Sequence, residues 1–216
     1  MSERVVGVSG VLFVIGVVVG FGVLVGSVPG PGAEADEIRD FLARSDARVW
    51  TGGYIGLLAQ LAFLVFAAGL WGILRAAEGG TGWISTAGLV SAGTLLAITV
   101  AGDLVPGAAV YYAGRDVDPA TASLLLDAKK LAEMLSAPFL GLFLAAAALV
   151  ALRAAALPRW AGWSAAVIAG LSIVTLPLGY EPSQTAFFLA LIWILAVSVR
   201  LLARPAAGRR AAAPPA

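Results

Sequence analysis

Residues 50–74 read WTGGYIGLLAQLAFLVFAAGLWGIL. No acid or base interrupts this run, and only Gln60 carries a large polar side chain. At 1.5 Å rise per residue, roughly 20 apolar residues cross a hydrocarbon core of about 30 Å. Trp50 and Trp71 are spaced roughly 31 Å apart along a helix, the separation of the two aromatic belts at the membrane surfaces. Arg75 and the turn Glu78-Gly79-Gly80 close the run. The stretch reads as a membrane-spanning helix.

Working outward, five further runs share this character. The preceding one is 5–28, VVGVSGVLFVIGVVVGFGVLVGSV. It is longer than the 7–15 residues of a signal-peptide core, and no small-x-small cleavage site follows, so it reads as an uncleaved helix. Pro29-Gly30-Pro31-Gly32 ends it. The later runs are 83–105, stopped by Pro106-Gly107; 131–152; 160–178; and 184–202. Asp118-Pro119 has the chemistry of a helix start, an acid at the N-cap and proline at N1. The fourth helix is therefore expected to begin outside lipid, with Pro138 permitting a kink as it enters. Between the first two spans, Glu34–Arg48 places Ile38, Phe41, Leu42 and Ser45 on one face. That pattern predicts a short amphipathic helix at the membrane surface, with a solvated loop as the alternative.

Composition agrees. Hydrophobic residues make up 60% of the 216 positions and charged residues 12%, against about 25% charged in soluble domains. The fold expected is an all-α polytopic bundle of six spans with one or two outer amphipathic helices. It forms a single membrane domain over 1–204, with a disordered Arg-Ala-Pro tail over 205–216.

The absences are as informative. Without cysteine or histidine, the chain has no disulfide, no thiolate nucleophile and no imidazole ligand or proton shuttle. That removes two-histidine haem proteins, di-iron membrane oxygenases, zinc intramembrane proteases and Ser-His hydrolases. No cofactor or metal is expected. A net charge of +1 gives no reason to invoke nucleic acid; the expected partners are the bilayer, a membrane protein or a second copy.

Lys and Arg near helix ends orient such proteins. With the N-terminus inside, Arg4, Arg75, Arg153, Arg159, Arg200, Arg204, Arg209 and Arg210 face the cytoplasm. Arg39, Arg44, Arg48, Arg115, Lys129 and Lys130 face outward. The modest inner excess places both termini in the cytoplasm.

Polar groups at membrane depth are functional candidates because they are costly there. Thr94, Thr99, Ser172 and Thr175 can satisfy themselves on their own helix carbonyls. The Gln60 amide needs an interhelical partner or a ligand. Asp103, Lys130 and Glu133 fall near the outer end, and Lys130 lies one turn before Glu133, so the two can pair. Lys129 is also four residues before Glu133. A cluster of Asp103, Lys130 and Glu133 would close the outer mouth of the bundle, either as a small binding cleft or as charges snorkelling into headgroups. Gln60, Asp103, Lys130 and Glu133 are the candidate ligand-binding residues. No residue is assigned a catalytic role, although Asp103, Glu133 or Glu181 would be the acid of a protonation-initiated cyclase acting on a prenyl or lipid substrate, with Tyr111 or Tyr112 stabilising carbocations. A small permease would instead need a polar path through Gln60. Gly16-xxx-Gly20, Gly22-xxx-Gly26 and Gly52-xxx-Gly56 suit close helix packing, within the bundle or between copies. The motif around Arg75 and Trp83 also echoes that around Arg153 and Trp163, a faint sign of a parallel repeat.

The segments FAAGLWGILRAAEGG and ALRAAALPRWAGW, with the acidic surface helix between the first two spans, resemble the six-helix actinobacterial membrane proteins grouped as domain-of-unknown-function 4386. The likeness covers about residues 5–202 and is sharpest at Leu157-Pro158-Arg159-Trp160-Ala161-Gly162-Trp163. It implies the six-helix fold and a plasma-membrane location, and it carries no catalytic residues. The reading is a non-enzymatic bundle that binds a partner protein, lipid or small apolar ligand.

Overall fold

The computed structural model describes residues 2–26, 28–29, 33–43, 47–113 and 118–204, with side chains at 35, 42, 106–113, 119 and 181 outside that description. The helices are α1 (Glu3–Val17), α2 (Ala35–Ala43), α3 (Ala47–Glu78), α4 (Trp83–Ala113), α5 (Pro119–Ala154), α6 (Arg159–Val174) and α7 (Tyr180–Ala203). A π-helical stretch, Val18–Val25, prolongs α1, and a 3₁₀ turn, Leu176–Leu178, follows α6. No strand occurs among the described residues. The fold is an all-α polytopic bundle.

Local chemistry explains the hairpins. Glu78, at the end of α3, accepts the N–H groups of Ile84 (3.0 Å) and Ser85 (2.8 Å), satisfying donors that every helix start leaves open. Gly79, Gly80 and Gly82 have φ of 67°, 51° and 62°, which a Cβ would disfavour. After α6, Pro177 lacks the N–H that would continue the ladder, so the helix tightens into the 3₁₀ turn and ends at Gly179 (φ 105°).

The long helices run up and down in a closed ring: α1 packs on α3 and α7, α3 on α4, α4 on α5, α5 on α6 and α6 on α7. α5 also touches α3 and α7 and is the most enclosed of the crossing helices. Phe63 is the hub of the core, 4.9 Å ring to ring from Phe13 and 5.9 Å, edge-on, from Phe143. The indole of Trp193 donates to the Ala161 carbonyl (2.9 Å), tying α7 to the start of α6. Glu3 and Arg204 pair at 2.9 Å, so the first and last helices meet at one end, here the terminal end; the opposite end is the far end. Beside Trp71, whose indole N–H has no partner among the described residues, a cavity of about 10 Å³ lies against Ser85 and Phe143. It would admit about one water.

Glycines set the approach of α1 to α3. A Cβ on Gly20 would stand 2.8 Å from the Gly52 carbonyl oxygen, and one on Gly52 2.6 Å from that of Gly20. Gly16 likewise abuts Ala59, whereas Gly22 and Gly26 meet nothing within 4 Å. Two of the three Gly-xxx-Gly pairs therefore serve contacts inside the bundle.

Outside, Leu12, Ile15, Leu61, Leu142, Val167 and Ile192 are exposed along the helices. Water-facing surfaces avoid so continuous an apolar coat. It is compatible with an integral membrane protein. Five helical segments are long and apolar enough to cross: Glu3–Val25, Ala47–Glu78, Trp83–Val105, Ala120–Ala154 and Pro182–Ala203.

Several expectations need correction. The expected span 160–178 is a 16-residue helix, roughly 24 Å long, because Pro177 breaks it. The apolar crossing is Trp83–Val105 as expected, but Pro106-Gly107 does not end the helix; α4 continues to Ala113. A proline removes a single ladder bond, and α4 stays seated on α5 from Gly88 against Ala146 to Gly102 against Ala132. As expected, α5 starts at Pro119 and stays helical through Pro138, to Ala154. The amphipathic helix is described over Ala35–Ala43, and its apolar face lies on protein. Ile38 and Phe41 bury themselves with Val49, Ala122 and Leu126, because the first turns of α5 offer an apolar seat. Leu42, Ser45, Tyr111, Tyr112 and the tail 205–216 fall outside the described side chains.

Candidate functional site

The polar residues of four helices meet near the far end. Gln60 comes from α3, Asp103 from α4, Lys129, Lys130 and Glu133 from α5, and Tyr180 and Gln184 from α7. Gln60 stands about 27 Å along α3 from Glu78, and Asp103 about 30 Å along α4 from Trp83. The cluster is therefore about one hydrocarbon thickness from the terminal end.

Lys129 is its centre. Only 8% of its side chain is exposed, and its ammonium bridges both carboxylates, at 3.2 Å from Asp103 and in direct contact with Glu133. The Gln60 amide donates to the other oxygen of Asp103 at 2.5 Å. The Tyr180 hydroxyl donates to Glu133 at 2.5 Å, with Gln184 at 3.4 Å from the same oxygen. Lys130 donates to the Tyr180 hydroxyl at 3.0 Å and lies 4.2 Å from the centre of its ring. Phe21, carried by the π-helical stretch, has its ring 6.0 Å from the Lys129 ammonium; Phe21 itself sits against Gly56, where a larger residue would collide.

Both carboxylates are thus surrounded by donors. Each accepts charge-assisted hydrogen bonds. Asp103 and Glu133 converge, but on an ammonium rather than on an apolar pocket. The arrangement binds and braces. It does not present a free acid.

The structure brings Gln60, Asp103, Lys130 and Glu133 together, with one exchange of roles. The partner of Glu133 is Lys129, not Lys130, because Asp103 from α4 approaches the Lys129 side of α5. Lys130 instead turns to α7. The side chain of Glu181 lies outside the described residues. Tyr180 and Gln184 were missed; they are about fifty residues from Glu133 in sequence, and no local spacing announces such a contact. Thr94, Thr99, Ser172 and Thr175 bond back to the carbonyls of Val90, Leu95, Ile168 and Leu171.

Comparison with protein-family models, with curated proteins and with solved structures returns no match.

Proposed function

We propose that the chain is a six-crossing plasma-membrane protein with both termini in the cytoplasm, and that it works without catalysis by presenting its far end to a partner protein. α6 with its 3₁₀ turn is the sixth crossing. The likeness to domain-of-unknown-function 4386 proteins belongs to this proposal and rests on Leu157–Trp163.

The carrying observation is length. α3, α4 and α5 have 32, 31 and 36 residues, or roughly 46–54 Å, against a hydrocarbon core of about 30 Å. Counted from the terminal end, they continue about 15 Å past the charged cluster. There they carry exposed Tyr54 and Leu124, and α2 packs beside them. Apolar groups raised above the bilayer favour a protein that covers them. The ion triad beneath supports the same reading. Stability alone does not require it, since well-packed apolar residues in its place are often as good or better. It stiffens the base from which the three helices project.

The cyclase reading fits less well because Asp103 and Glu133 face Lys129. The test is a photo-crosslinking residue placed at Leu124 or at Ile192, 69% and 63% exposed, in native membranes. Position 124 should yield a discrete protein adduct, lost in D103N/E133Q, and position 192 lipid adducts only. Lipid adducts alone at both positions would overturn the proposal.

A further inference from the structure

The terminal end concentrates arginine. Arg4 stands in the first turn of α1, Arg75 and Arg153 near the ends of α3 and α5, Arg159 at the start of α6, and Arg200 and Arg204 at the end of α7. The acids at this end, Glu3 and Glu78, are engaged by Arg204 and by the start of α4. Arg4, Arg153, Arg159 and Arg200 are exposed, and among the described residues none of them has an ion-pair partner.

Three tryptophans stand at the same end with their rings uncovered: Trp83 at 68%, Trp160 at 47% and Trp163 at 64% exposure. Trp160 directly follows Arg159, and Trp163 is one helical turn further on. An indole so exposed gains nothing from bulk water, but it suits the level of lipid headgroups. A guanidinium beside it offers the paired donors that match phosphate oxygens. The far end is mixed, with Asp36, Glu37, Asp40 and Asp118 exposed beside Arg39 and Arg48, and Asp36 paired with Arg39.

We infer that the terminal end is a docking surface for anionic phospholipid headgroups, gripped by Arg153 and Arg159 and edged by Trp83, Trp160 and Trp163. Charge complementarity selects the occupant: exposed guanidiniums without ion-pair partners among the described residues, at the end where the exposed tryptophans stand. The inference rests on the membrane reading above, and one experiment separates the two.

The full chain is reconstituted in phosphatidylcholine vesicles containing equal fractions of either brominated phosphatidylcholine or brominated phosphatidylglycerol, and tryptophan quenching is recorded. Brominated phosphatidylglycerol should bind preferentially, by roughly fivefold for each arginine engaged. High salt should erase the preference in the unaltered protein, and R153Q/R159Q should reduce it, whereas R39Q/R48Q at the far end should not. Quenching without preference overturns this inference alone. So does a preference that R153Q/R159Q leaves intact. Absence of quenching by either lipid overturns the membrane reading together with it.

Discussion

Lys129 shows how a single residue can be visible in a sequence and still be left out of the cluster it centres. Its spacing to Glu133 was legible, as was the nearness of Asp103 to the same level. Which of two adjacent lysines points at α4 depends on the rotation of α5, and that is set by packing along its whole length. Gln60 was legible as a group in need of a partner, because an amide at that depth cannot stay unpaired; the identity of the partner was not. Removing Lys129 alone leaves two carboxylates facing each other. K129M should therefore lower the unfolding free energy by roughly 3 kcal/mol, read from denaturant or thermal unfolding in detergent. D103N/K129M/E133Q should regain most of that loss. A K129M protein as stable as the parent would show that the triad braces nothing.

At the scale of elements, apolar runs announced five helices well, because a hydrocarbon-length run admits few other structures. Ends were less legible. Pro106 lies inside a helix that continues to Ala113, whereas Pro177 sits in the 3₁₀ turn that follows the end of α6. Packing does not separate the two cases: α4 lies on α5 at Gly102, and α6 lies on α5 as far as Ile173, with the 3₁₀ turn touching both α5 and α7. The amphipathic segment revealed its helix and its apolar face, but not whether lipid or α5 would receive that face. Adjacent glycines in α3 make a sharper test of packing. G52A drives a methyl against the Gly20 carbonyl and should cost roughly 1–3 kcal/mol. G53A meets nothing within 4 Å and should raise stability by up to about 1 kcal/mol, since glycine is a poor residue in a helix interior. Equal effects at the two positions would mean that α1 and α3 are not in close contact.

For the molecule as a whole, the fold class was readable from composition and run length, while the order of helices around the ring was not. Six similar apolar helices can be arranged in many ways, and the choice rests on small residues such as Gly20, Gly52 and Gly162 meeting their counterparts. Orientation across the bilayer is open to direct measurement, because the chain has no cysteine of its own. T81C should resist a membrane-impermeant maleimide in intact cells and react after lysis, whereas D118C should react in both. Labelling of T81C in sealed cells would invert the proposed topology.

The Glu3–Arg204 pair has one more consequence. Since α7 fills the slot between α1 and α6, the ring keeps an open seam until the last helix leaves the ribosome, and α1 must wait for its second neighbour throughout synthesis. The same adjacency means that a short peptide could join residue 204 to residue 3, and the chain could then be opened at the 79–82 turn instead. Such a circularly rewired protein would keep the same helices and pack its first-made pair in a different order.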